Sequence, residues 1–363
     1  MIKPPTKIIP KTVDAANPLL DKDKRNKPKY WRENKLMSKI LGRSLTELGY
    51  KKGERVSFCS CWLMFKECPE DIGHPKRLKQ ANFCRVRLCP SCQKRRSFIE
   101  YRTMLKIVHA LQTDQPTIKY LFLTLTVPNV KLEELGNELT HITQSWHRMT
   151  NRKPVKRAIK ASHRAIEITY NHKTDTYHPH AHVILAVNSR YFKSDEYIKH
   201  ERWQEMWAES TGYTEDIIGS KLQVNIKRLK GEKGVSEACK YSLKPWNTSD
   251  KEVTKSLKKI TKTKGDITYG VKGHIYIRDS PEETTAIVEK LHDALHGKKL
   301  THYAGLFKEY KKNLKLKGGD EESDLTHGAG EESSCKCPVC NAQYVEQLYQ
   351  WIELNKNYYA CYS

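Results

Sequence analysis

The sequence predicts an α+β protein built on a ferredoxin-like antiparallel sheet, preceded by an N-terminal Cys-rich zinc module. Three observations predict it. Alternating β-rich runs and stripes of apolar residues at threes and fours succeed one another as β-α-β-β-α-β-α between Tyr120 and Leu243. Six cysteines (Cys59, Cys61, Cys68, Cys84, Cys89, Cys92) crowd residues 59 to 92. The 363 residues carry 65 Lys plus Arg against 42 Asp plus Glu, a net charge of +23. At roughly 100 to 200 residues per domain, that length allows about two domains with real cores.

Taken in order, residues 1–50 read as a basic, partly disordered arm, because the first thirty lack any sustained periodicity. Residues 51–112 read as the Cys-rich module and a basic helix spaced through Phe98, Leu105, Val108 and Leu111. Residues 113–250 hold the sheet. Its first strand, Tyr120 to Val127, sets Leu121, Leu123 and Leu125 on one face and Thr124 and Thr126 on the other. Leu132, Leu135, Leu139, Ile142, Trp146 and Met149 mark an amphipathic helix. Arg164 to Tyr170 and His180 to Val187 form a hairpin about a polar turn at Lys173 to Thr176. A helix at Trp203, Met206 and Trp207, a strand at Leu222, Val224 and Ile226, and a helix from Val235 to Leu243 complete the order. Residues 251–317 read as a basic extension with a hairpin at Asp266 to Asp279 and a helix through Ile287, Leu291 and Leu295. Residues 318–363 read as an acidic tail with a second Cys cluster.

The charge is divided unevenly. After Lys317, eight acids face two bases, a local −6, so residues 1–317 carry +29. A field of that sign and size attracts polyanions, which makes nucleic acid the default partner. A solvated Lys-rich surface is the bland alternative. Lys221 to Lys264 alone has thirteen bases and four acids. No apolar run approaches the roughly 20 residues a bilayer span needs, and the start, Met1-Ile-Lys-Pro-Pro, lacks a signal-peptide core. A cytoplasmic chain with no membrane partner is expected, and its eleven cysteines are read as reduced thiolates and metal ligands.

Two constellations carry chemistry. In His178-Pro-His180-Ala-His182, residues two apart share a strand face, so His180 and His182 can offer two imidazoles to one metal ion. Folding the hairpin about its turn sets Glu167 across from His182, with His178 as an alternative ligand. The other face carries Ile166, Ile168, Val183, Leu185 and Val187 as core. In Glu237-Ala-Cys-Lys-Tyr241, i and i+4 share a helix face, pairing a carboxylate with a phenol. A Tyr can be a covalent nucleophile and a carboxylate beside it a base for water. Alone, that pair reads equally as a surface Glu and a packed Tyr.

The cysteines suggest zinc. Cys89-Pro-Ser-Cys92 has a knuckle spacing. Cys84 and one of Cys59 or Cys61 complete the expected set, with Cys68 and His74 in reserve. Cys335, Cys337 and Cys340, with Cys361 as fourth ligand, form a candidate second zinc site.

Phe122-Leu-Thr-Leu-Thr126, Pro179-His180-Ala-His182-Val, Glu237-Ala-Cys-Lys-Tyr241 and Ala81-Asn-Phe-Cys-Arg-Val-Arg-Leu-Cys-Pro-Ser-Cys92 together resemble motifs of the HUH endonucleases. More narrowly, the chain resembles the rolling-circle plasmid replication initiators of Gram-positive bacteria, over roughly Val56 to Tyr310. The resemblance implies Mg or Mn on His180, His182 and Glu167, Tyr241 as nucleophile, and Lys240 or Lys244 near the phenol or the phosphate. It implies a 5′-phosphotyrosine link on origin DNA, a free 3′-OH primer, and termination by rejoining or by hydrolysis through Glu237. Single-stranded and origin DNA, a host helicase and a DNA polymerase are the implied partners, and a homo-oligomer is compatible with it. No Gly-x-x-x-x-Gly-Lys-Ser/Thr loop is present, so unwinding falls to another protein. The competing readings are a related transposase or mobilisation relaxase, and a noncatalytic zinc-dependent DNA-binding regulator.

Overall fold

The computed structural model describes residues 12–20, 30–69, 74, 76–242, 274–318, 325, 336–337 and 339–362. The chain begins with β1 (Thr12–Pro18), α1 (Trp31–Glu47), α2 (Gly53–Ser57), β2 (Trp62–Glu67), β3 (Arg77–Ala81) and α3 (Pro90–Asp114). β4 (Ile118–Thr126), α4 (Leu132–Thr150), α5 (Lys153–Ala158), β5 (Ile159–Asn171) and β6 (Thr176–Asn188) follow. Next come α6 (His200–Thr211), α7 (Glu215–Ile218), β7 (Val224–Leu229) and α8 (Gly231–Ser242). The described elements end with α9 (Pro281–Leu295), β8 (Thr301–Gly305), α10 (Leu306–Asn313), β9 (Val345–Ile352) and β10 (Asn357–Tyr362). The protein is thus α+β, and its described residues form two five-stranded sheets whose neighbours all pair antiparallel.

Two compact units divide the chain, and each draws on separate stretches. One comprises Met1–Arg95, Asn247–Glu289 and Asp324–Ser363; the other comprises Arg96–Trp246 and Lys290–Ser323. These units cut across the five segments read from composition, because strand pairing joins residues far apart in sequence.

The first unit holds the sheet β1-β10-β9-β2-β3. Part of the expected arm is structured: β1 pairs with β10, and α1 buries Leu36, Met37, Ile40, Leu41 and Leu45. That stripe was hidden by the basic composition around it. The expected acidic tail likewise supplies β9 and β10. Its apolar residues Leu348, Tyr349, Trp351 and Tyr358 are buried, while Glu346 pairs with Lys79 and Glu353 with Lys39. Phe65 meets Trp31 and Tyr349 edge to face, at 6.3 and 5.9 Å between ring centroids.

The second unit holds the sheet β7-β4-β6-β5-β8. Its order β4-α4-β5-β6-α6-β7-α8 follows the alternation expected from the sequence, with the short α5 and α7 added. One face presents Leu121, Leu123 and Leu125 of β4 and Val183, Leu185 and Val187 of β6, all buried. α4 packs on β6 and on α6, burying Leu135, Leu139, Ile142 and Trp146 with Trp203, Met206 and Trp207. On the opposite face, Tyr120, Ala165, Ile184 and Ala186 form one core with Met104, Ile107 and Leu111 of α3 and Val235, Ala238 and Cys239 of α8. Fully burying each large apolar side chain there contributes about 1.5–3 kcal/mol.

The division of the hairpin into a core side and a chemical side therefore needs correction. Both faces are core in the middle of the sheet, and among the described residues the His178, His180 and His182 side chains on the α8 face are partly exposed. The hairpin expected at Asp266 to Asp279 lies outside the described residues as far as 273, and residues 274–279 form no strand.

Candidate catalytic and metal centres

β5 and β6 bring Glu167, His180 and His182 together. Pairing runs to Asn171 and Thr176, leaving a four-residue turn in which Asp175 has a left-handed φ of 48°. Glu167 consequently lies opposite His180, and Ala165 opposite His182, two residues from the expected register. A slip of two preserves the face of every side chain, so the grouping survives the error. His180 Nε2 lies 3.4 Å and His182 Nε2 3.2 Å from the same atom, Glu167 Oε2.

The imidazoles are held from behind. His182 Nδ1 is 3.1 Å from Thr124 Oγ1 on the neighbouring β4, and the ring stacks on Phe122 at 5.4 Å. His180 Nδ1 is 3.3 Å from the carbonyl oxygen of His178. With a proton on Nε2 each ring can donate to Glu167; with the proton on Nδ1 instead, the Nε2 lone pair is available to an ion held against the carboxylate. Burial raises the affinity of Glu167 for its proton, but hydrogen bonds and charge from His180 and His182 outweigh it and hold its pKa at about 2. An ionised carboxylate and two imidazoles, all partly buried, form a mixed oxygen and nitrogen donor set able to hold a divalent ion with positions left open. His178 is not in this group. It stacks on His180 at 5.2 Å, and burial followed by the charge of His180 lowers its pKa.

α8 carries the second constellation. Val235, Ala238 and Cys239 anchor it to the sheet face that bears the imidazoles, and Ser236 Oγ lies 2.8 Å from Tyr101 Oη. Glu237 is exposed. Lys240 and Tyr241 continue the helix, with Tyr241 one turn beyond Glu237; the side chains of both, and all of Lys244, lie outside the described residues. Cys239 is no nucleophile: burial, then the charge of Glu100, pushes its thiol up to about 12.

Among the described residues the cysteines form two groups of metal-binding type. In the first, Cys59, Cys84, Cys89 and Cys92 are all buried, with Sγ separations of 3.6 Å for Cys59–Cys92 and 3.5 Å for both Cys84–Cys92 and Cys89–Cys59. Backbone N–H groups of Cys84 and Arg85 donate to Cys59 Sγ and Cys92 Sγ at 3.4 and 3.2 Å. Burial pushes the Cys59 and Cys84 thiols up. It acts on Cys89 in the same direction, but hydrogen bonds from the other three thiols and Ser38 bring that group down. Lys35, buried beside the cluster, donates to the carbonyls of Ser57 and Cys59, both at 2.8 Å. Of the expected alternatives, Cys61 is excluded from the cluster. Ser60 has a left-handed φ of 51°, and Cys61 Sγ instead accepts from Asn82 Nδ2 at 3.0 Å.

The second group differs from the expected one. Cys337 and Cys340 are joined by Cys68 and His74. Cys361 lies on β10 opposite Leu348, in a cluster with Trp62 and Met64, too remote from that group to be a ligand. Cys335 lies outside the described residues. Ser38 and Lys35 carry no signal in the sequence, whereas Thr124 lies within the Phe122–Thr126 motif and on its polar face, with no role assigned to it there.

Known proteins are similar to this chain in sequence. The family model described as "Replication protein" matches residues 75–359. The chain is 35% identical over 316 residues to "Protein rep" of Streptococcus pneumoniae serotype 2 (strain D39 / NCTC 7466), covering 85% of this chain and 87% of that protein. It is 34% identical over 334 residues to "Protein rep" of Bacillus amyloliquefaciens, covering 86% and 93%, and 29% identical over 341 residues to that of Lactiplantibacillus plantarum, covering 93% and 98%. No solved structure matches. A basic chain with a carboxylate–imidazole centre and clustered thiols, so related, is a DNA-replication protein. It belongs to the replication protein family of rolling-circle plasmid initiators. Among the described residues no helix is long and apolar enough to cross a membrane.

Proposed function

We propose that this initiator nicks one strand of plasmid origin DNA through Tyr241, on a ferredoxin-like core of the HUH endonuclease type. The observation that carries the reading is the convergence of Glu167, His180 and His182 on the sheet face covered by α8, the helix containing Tyr241. The strand order β7-β4-β6-β5 supports the ferredoxin-like assignment. β7 ends opposite Tyr120, away from the Thr126–His180 row. The helix that follows, α8, packs on the sheet face that bears the imidazoles.

The chemistry divides among the residues. Glu167, His180 and His182 would hold Mg or Mn, which when bound withdraws charge from a scissile phosphate. The Tyr241 phenolate oxygen attacks phosphorus in line, the P–O3′ bond breaks, and the products are a 5′-phosphotyrosine and a 3′-OH. A host polymerase extends that end behind a host helicase. Lys240 sits beside Tyr241 in sequence, where its charge favours the phenolate or grips the phosphate. Glu237, exposed on the same helix face, takes a proton from water at termination, so that hydrolysis ends the cycle. Cys59, Cys84, Cys89 and Cys92 hold a structural zinc. The basic stretch Lys221 to Lys264 grips unpaired DNA. Functionally, residues 51–112 act as the zinc module, 113–250 as the nicking domain and 251–317 as a basic extension.

Labelled origin DNA tests the assignment. Tyr241→Phe abolishes nicking and covalent attachment, while Glu237→Ala keeps nicking and loses termination. Covalent attachment of Tyr241→Phe protein to that DNA would make the nucleophile assignment wrong.

A further inference from the structure

We propose that Cys68, His74, Cys337 and Cys340 form a second zinc site, of Cys3His type, that latches the C-terminal β hairpin to the N-terminal part of its sheet. The four ligand atoms all lie within 4.8 Å of one another. Cys68 Sγ is 3.3 Å from Cys340 Sγ and 3.2 Å from His74 Nδ1, and His74 Nδ1 is 3.5 Å from Cys337 Sγ. A disulfide, at about 2.05 Å, does not fit that Sγ–Sγ spacing. Zinc does: bonds of about 2.3 Å to sulfur and 2.0 Å to nitrogen give tetrahedral edges of about 3.5–3.8 Å, close to the observed separations.

The local backbone is built for a ligand pair. Cys337 N–H donates to the carbonyl of Ala342 at 2.8 Å and Asn341 N–H to that of Cys337 at 2.9 Å, with Asn341 at a left-handed φ of 63°. Lys336 bridges to Gln343, closing the turn. Both cysteines of the turn are thereby presented to one side. Tyr344 packs against Cys68 and Cys337, and Arg77 stacks on its ring at 5.6 Å, setting positive charge near three thiolates.

The position explains the purpose. Cys68 follows the last residue of β2, and Glu67 pairs with Val345, the first residue of β9. The cysteine turn leads directly into β9, so one ion would tie the end of β2, the approach to β3 and the entry to β9. The strands joined in this way come from opposite ends of the chain. A cross-link between residues so far apart removes much chain entropy from the unlatched state.

Zinc content and X-ray absorption of the full-length protein test the proposal. The wild-type chain should carry two zinc ions with seven sulfur and one nitrogen donors between them, four thiolates at one site and Cys68, His74, Cys337 and Cys340 at the other. Cys340→Ser should lose one zinc and the nitrogen signal, and expose the amides of β9 and β10 to hydrogen exchange. Cys361→Ser should keep both ions. All-sulfur coordination in the wild type, an unchanged zinc count in Cys340→Ser, or loss of zinc in Cys361→Ser would each overturn the site. Should Cys340→Ser fail to fold, the wild-type donor ratio decides alone. Nicking is not among these readouts, so failure of the Tyr241 assignment leaves them unaffected.

Discussion

The Cys59–Cys84–Cys89–Cys92 cluster and the Glu167–His180–His182 cluster hold metal-type donors in opposite ways. The first offers four soft donors, all buried, with backbone N–H groups directed at the sulfurs. Four thiolates saturate a tetrahedral ion and leave nothing for a substrate. The second offers one oxygen and two nitrogens, partly exposed, at the end of a strand pair. Three donors would not saturate a divalent ion, and an ion held there could supply charge stabilisation to a substrate oxygen. Donor count and burial together separate a scaffold from a reactive centre.

The largest effect should come from breaking the closed site. Structural zinc binding is worth about 10–16 kcal/mol at neutral pH, as much as the whole stability of a domain, about 5–15 kcal/mol. Cys84→Ser is therefore expected to abolish the cooperative thermal transition of the first unit, read by calorimetry beside zinc content. A melting temperature unchanged from wild type would place the cluster with ordinary buried thiols.

Breaking the open site should spare the fold and remove the chemistry. His182→Ala deletes one of three donors on a sheet whose apolar core lies elsewhere, around Ile184 and Ala186. Nicking should fall more than about 100-fold, beyond the usual cost of losing a partner that only orients a ligand, with the thermal midpoint moving by a few degrees at most. Full nicking activity in a correctly folded His182→Ala protein would remove the centre from the mechanism.

The two sites also differ in how much the sequence reveals of them. Period-two alternation placed His180, His182 and Glu167 on one face, and a register error of two residues could not undo it. The succession of elements from β4 to α8 was legible for the same reason, apart from the short α5 and α7, whereas β8, which pairs with β5 in the same sheet, was not. The thiol clusters were only half legible. Cys89 and Cys92 declare themselves by spacing, but the choice between Cys59 and Cys61 depends on the left-handed turn at Ser60. The partnership of Cys68 and His74 with Cys337 and Cys340 depends on β2 pairing with β9, which no local pattern announces. In the same way, the charge of the last 46 residues concealed two strands of a sheet.

The smallest expected effect bears on orientation within the open site. Thr124 Oγ1 lies 3.1 Å from His182 Nδ1 and touches neither Glu167 nor His180 among the hydrogen bonds described. Thr124→Val keeps the shape and the β-branch while removing the hydroxyl, so β4 remains intact between β6 and β7. The ring of His182 then keeps its stacking on Phe122, its edge contact with His180 and its approach to Glu167, but loses the partner that fixes Nδ1. Loss of such a partner typically costs about 10–100-fold in metal affinity. The concentration of Mn needed for half-maximal nicking should rise by that factor, while the rate at saturating Mn stays near wild type. The closed site has no such dependence, because its donors are locked by burial on every side. A lowered rate that Mn cannot restore would instead make Thr124 a group that touches the DNA.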